Sequence, residues 1–151
     1  MLQSTIRSCG VSFDIWEKTN ADGNGSGHYD FTSLLGSDRK NLLSNFPEKH
    51  DACVHKDTSQ TAIQIWNDFH ELYNIITSKN PSPDTVDQKY FLKAKNWINL
   101  FTALKDKRLG YKRADATPYM HPLVYHIPIF LKNCKSIKLF TGQRVEKIMT
   151  A

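Results

Sequence analysis

Thr58-Ser-Gln-Thr-Ala-Ile-Gln-Ile-Trp-Asn-Asp-Phe-His-Glu-Leu-Tyr-Asn-Ile-Ile-Thr-Ser78 is the stretch that decides the fold. Ala62, Ile65, Trp66, Phe69, Leu72, Tyr73 and Ile76 recur at intervals of three and four, which gives one wide apolar face at the helical period. A long helix is therefore predicted from Asp57 or Thr58 to Ser78, ended by Asn80-Pro-Ser-Pro83. Downstream, Val86, Tyr90, Trp97, Phe101 and Leu104 share one face of a second helix, from Asp84 or Thr85 to Gly110. Two such stripes, both rich in aromatics, are expected to pack against each other as antiparallel helices. Ordinary core packing accounts for them without any cofactor.

Tyr111–Thr117 is a polar connector, and Pro118 can open a third helix because its missing N–H costs nothing there. That helix is expected to run to about Lys132, bent at Pro128, with Leu123, Ile127, Phe130 and Leu131 inward. An extended piece, Ser136–Phe140, then leads to Thr141-Gly-Gln-Arg-Val-Glu146. Upstream, residues 1–37 read as irregular apart from an apolar piece, Val11 to Trp16. Ser37 caps a short helix that ends at Phe46, stopped by Pro47. The expected organisation is an irregular N-terminal region with a short helix (1–57), a two-helix hairpin (58–110), and a proline-bent helix with its following segment (111–151). The fold class is mainly α.

Composition narrows the function classes. Apolar residues make up 40% of the 151, enough for a core. No apolar run approaches the ~18 residues of a membrane span. The longest apolar stretch, Pro122–Leu131, is interrupted by His126 and two prolines. The N-terminus has no signal-peptide apolar region, and three cysteines (Cys9, Cys53, Cys134) without a CxxC fit reduced thiols in an intracellular compartment. Charge is uneven: residues 1–57 carry six Lys+Arg against eight Asp+Glu, and 58–151 carry fourteen against seven. The second half could face a polyanion such as DNA; a solvated lysine-rich surface is the commoner outcome of such a charge.

Two motifs carry metal chemistry in principle. Asp22-Gly-Asn-Gly-Ser-Gly-His-Tyr-Asp30 resembles an EF-hand loop, with Gly27 sixth, but the twelfth position is Ser33 instead of a bidentate Glu. A solvated turn is the favoured reading, with no calcium ligand assigned. His121 and His126 form His-x4-His on the third helix, two of the four ligands that tetrahedral zinc needs. Two unrelated histidines are the more frequent meaning of such a pair. Cys53-Val-His55 is the only nearby-looking candidate to complete it.

Tyr119-Met-His-Pro-Leu-Val-Tyr-His-Ile-Pro-Ile-Phe-Leu131, with Ser136-Ile137, Phe140 and Gly142-x-x-x-Glu146, resembles the end of a known catalytic core. It is similar to the V(D)J recombination-activating recombinase, its Transib transposase relatives and related transposon-derived proteins. The likeness is moderately specific over 118–147. The upstream order, a short helix and then two long ones, resembles the helical insertion of that RNase H-like core.

The resemblance implies that Glu146 is the third acid of an Asp-Asp-Glu triad holding two magnesium or manganese ions. It implies that His121 and His126 are zinc ligands. Lys132, Lys135, Lys138, Arg144 and Lys147 become candidate DNA-phosphate contacts. It further implies DNA as partner of the parent enzyme and a nuclear location. The two aspartates, most of the sheet and the cysteine pair of the zinc site would lie before Met1, so no metal is expected to be held by this chain alone. Arg144 replaces a glycine usual in the relatives, and Ile148-Met-Thr-Ala151 stands where they continue with an Asn/Asp run, as a one-base frame change would produce. The expectation is a transposon-derived remnant, inactive alone, whose exposed apolar helix faces favour self-association. The alternatives are a domesticated helical DNA- or protein-binding module and a degenerate calcium-binding module.

Overall fold

The computed structural model describes residues 1–50, 53–78, 89–115 and 118–134. It is mainly helical. The order is α1 (Leu2–Ser8), β1 (Ile15–Thr19), β2 (Gly25–Phe31), α2 (Gly36–Lys49), α3 (Ser59–Thr77), α4 (Phe91–Thr102) and α5 (Met120–Cys134), with a short 3-10 turn at Arg113–Asp115. The chain divides into two compact units, 1–63 and 64–151, and the division falls inside α3. Among the described residues no helix is long and apolar enough to cross a membrane.

The first unit is more ordered than its sequence suggests. Where an irregular stretch was expected, α1 packs on α2, and β1 pairs antiparallel with β2. Ile6, Cys9, Val11 and Phe13 on one side and Leu43 and Phe46 on α2 are buried. Arg7 ties the end of α1 to the chain before β1: its Nε donates to the Phe13 carbonyl at 2.8 Å and its guanidinium pairs with Asp14. The hairpin closes at Asn20–Asn24, where Asn20 N donates to Asn24 O at 2.8 Å and Gly23 takes a positive φ of 83°.

The register carries a bulge. Glu17 faces Tyr29 but Thr19 faces Gly25, so β2 holds two extra residues opposite Lys18. The Glu17 carboxylate fills the gap and accepts the Gly27 N–H at 2.7 Å. It lies where a side chain on residue 25 would begin, which accounts for Gly25.

Pro47 does not stop α2, which continues to Lys49. The proline lacks the N–H that would serve the Leu43 carbonyl and its ring crowds that carbonyl, but its fixed φ is helical and the helix runs only two residues further. His50 Nδ1 lies 2.6 Å from the Pro47 carbonyl; a carbonyl only accepts, so Nδ1 carries the proton and caps the helix end.

The second unit is built on α3, α4 and α5. Ile65, Leu72, Tyr90, Ala94, Trp97, Leu104 and Val124 form its buried core. Trp97 Nε1 donates to the Ile65 carbonyl at 2.9 Å, and Lys93 pairs with Asp68 at 3.2 Å and with Glu71. Partners rise along α3 as they fall along α4, so the two helices run antiparallel. The Tyr90 hydroxyl donates to the Leu123 carbonyl at 3.0 Å and joins α4 to α5. The expected start of the second helix, at residues 84–85, lies outside the described residues. Its expected end at Gly110 is corrected to Thr102. Beyond that residue the backbone tightens into three-residue bonds, Leu104 N to Phe101 O and Lys105 N to Thr102 O, while Leu104 still turns inward.

Candidate functional site

Helix α5 carries the two histidines. Pro122 sits in its first turn, where no N–H is required, and Leu123 N closes that turn on Tyr119 O at 3.1 Å. Pro128 lies inside the helix and removes the N–H that would serve the Val124 carbonyl. Val124 and Leu131 are buried, with Leu123 and Ile127 beside them on the core side. His121, Tyr125 and His126 are exposed on the opposite side.

Positions five apart on a helix do not share one ideal face. Side chains lean toward the helix N-terminus, however, so the His126 ring can reach back one turn. The His121 and His126 rings meet with centroids 5.1 Å apart at 62° between planes. Tyr125 packs against His121 with centroids 4.9 Å apart and edge-on against Phe91 at 6.1 Å. Two imidazoles sharing one tetrahedral zinc, with zinc–nitrogen bonds of about 2.1 Å, also hold their centroids about 5 Å apart. The donor types and the ring separation are those of half a zinc site, and equally those of a T-shaped ring contact.

Among the described residues, no group of three or more His, Cys, Asp or Glu side chains is placed to hold a metal ion. Cys53 and His55 belong to the other unit; the Cys53 thiol is half-buried and turned to the His50 carbonyl at 3.3 Å. Glu146, Lys135, Lys138, Arg144 and Lys147 lie outside the described residues. Lys132 is exposed in the last turn of α5.

The calcium-like loop is a hairpin turn and the strand after it, with strands where an EF-hand has helices. Its acids are already engaged. Asp22 Oδ1 accepts the Asn24 N–H at 3.1 Å, and that bond with the Asn24 side-chain amide draws its carboxyl below the usual range. The Asp30 carboxyl is drawn below the usual range by the Phe31 N–H and by Lys18, 3.2 Å away.

Sequence reading passed over two features. Tyr125, four residues after His121, is the aromatic support of the pair, and that spacing was legible. The other is a basic loop after α4, hidden when charge is summed over half the chain. Comparison of the chain with protein-family models, with curated proteins and with solved structures gives no match.

Proposed function

We propose that this chain is the helical insertion and last-acid segment of a transposon-derived, RNase H-like DNA recombinase of the Transib and recombination-activating type. The observation that supports it is the imidazole pair: His121 and His126, singled out by the resemblance, meet at 5.1 Å on the exposed side of one helix. In this reading the two histidines supply half of a structural zinc site that pins the insertion, and a Cys-x-x-Cys absent from this sequence supplies the rest. The core side of α5, through Val124 and the Tyr90–Leu123 bond, fixes the helix on α4 and so holds both imidazoles in place. Glu146 is the third acid. With two further carboxylates from the parent enzyme it would hold two divalent ions, which would supply activation of the attacking oxygen and stabilisation of the leaving one. A single carboxylate cannot fix both, so the chain alone is read as inactive.

Two measurements test this. Purified chain with supercoiled DNA and magnesium or manganese is expected to leave the DNA intact. Cleavage abolished by Glu146→Gln would show that the chain is an enzyme by itself. Sequencing the transcript across the locus is expected to reveal, in frame upstream, two aspartates on strand-like segments and a Cys-x-x-Cys. A transcript carrying neither removes the metal roles of His121, His126 and Glu146 together.

A further inference from the structure

The loop after α4, Lys105-Asp-Lys-Arg-Leu-Gly-Tyr-Lys-Arg113, holds five cations against one acid in nine residues. Its ends are fixed. Leu104, only 4% exposed, is part of the core, and the Tyr111 ring packs against Phe101 at a tilt, with centroids 4.7 Å apart. Between these anchors, Leu104 O accepts from Lys107 N at 3.0 Å and from Arg108 N at 2.9 Å, and Gly110 reverses the chain at a φ of 85°. Arg108 Nη1 donates to the Lys107 carbonyl at 2.8 Å. Lys105, Lys107, Lys112 and Arg113 are exposed.

The geometry points to a docking surface for the phosphate backbone of duplex DNA on this loop, with Lys105, Lys107 and Arg113 as the contacts that carry it. The anchored backbone from Leu104 to Tyr111 carries Lys105 and Lys107, and Arg113 follows on the adjoining 3-10 turn, so exposed cations cluster where closely spaced phosphates can be neutralised together. An anionic membrane surface attracts such cations as well. A membrane-inserting loop would also bring several apolar side chains, whereas Leu109 is the one large apolar residue exposed between Lys105 and Arg113. This surface is distinct from the α5 histidines and does not depend on their role.

The test is fluorescence anisotropy of a labelled duplex between about 50 and 200 mM salt, where each phosphate contact contributes about 0.9 to the salt slope. Lys105→Gln/Lys107→Gln/Arg113→Gln is expected to weaken binding at least tenfold at the low-salt end and to flatten the slope by roughly 2–3. Arg39→Gln/Lys40→Gln/Lys56→Gln removes the same charge from the first unit and is expected to leave the slope unchanged. Each loop substitution made singly, expected to lower the slope by about one, repeats the test if the triple variant loses its helical circular dichroism. No binding by the wild-type chain, equal losses in both triple variants, or a loop dependence seen only with anionic vesicles would overturn the inference. None of these outcomes bears on the transcript that tests the recombinase reading.

Discussion

Trp97→Ala is expected to destabilise the second unit by about 3–5 kcal/mol, the range for truncating a buried aromatic. A domain's whole stability is about 5–15 kcal/mol, so the variant should be largely unfolded at modest urea. Trp97 is 6% exposed, touches Phe69 at 5.4 Å and Phe101 at 6.2 Å between centroids, and bonds the Ile65 carbonyl through its indole N–H. Alanine removes all of these and leaves a cavity between α3 and α4. Phenylalanine keeps most of the volume and loses the hydrogen bond, worth about 1 kcal/mol, plus a smaller packing loss. Urea unfolding followed by circular dichroism at α-helical wavelengths separates the two. If alanine and phenylalanine shift the midpoint equally, the indole cluster does not hold the helices together.

Tyr90→Ala should lower stability by a similar amount, about 3–5 kcal/mol, because the side chain is fully buried between α4 and α5. Tyr90→Phe isolates the hydroxyl and should cost about 0.5–1.5 kcal/mol at neutral pH. The phenol also gives a pH signature. Burial raises its pKa well above the ordinary value near 10. A raised pKa means stability present below pH 10 and lost above it, since the unfolded phenol ionises there while the buried one does not. The slope is about −1.4 kcal/mol per pH unit for one such group. Lys93 acts in the same direction: burial pushes its pKa down, but its bonds to Glu71 and Asp68 outweigh that and the net shift is upward. The wild-type chain should therefore lose stability between about pH 10 and 11, and Tyr90→Phe should lose less over that interval. Parallel pH profiles for the two would mean that the hydroxyl is not buried in solution.

What could be read in advance depended on whether burial left a period in the sequence. The α3 stripe did, because Ile65 and Leu72 are buried on one face with Phe69 and Ile76 beside them. The end of α4 did not, because Leu104 keeps the three-and-four spacing after the backbone has left the helix. The hairpin was hidden for the opposite reason. Most of its residues are exposed on both faces, so no alternation of apolar and polar residues marks the strands. Cross-strand contacts and the carboxylate-filled bulge hold it instead, and these depend on register. The histidine pair was visible as residue types, but its closeness rests on side-chain lean, which spacing does not convey. The basic loop needed the positions of Leu104 and Tyr111 before its charges became a surface.

The bulge between β1 and β2 also governs what the hairpin can recruit. A two-stranded sheet has two open edges, and each is a template on which another chain could grow. Here the row of backbone donors on β2 is broken by two extra residues, and one of its amides, that of Gly27, is held by Glu17. On β1, Glu17 and Lys18 both reach across to β2, to the Gly27 amide and to Asp30, and so tie the bulged strand to its partner. An incoming strand would find too short a regular ladder to extend, so the feature that shapes the hairpin also protects it from fibril-like stacking.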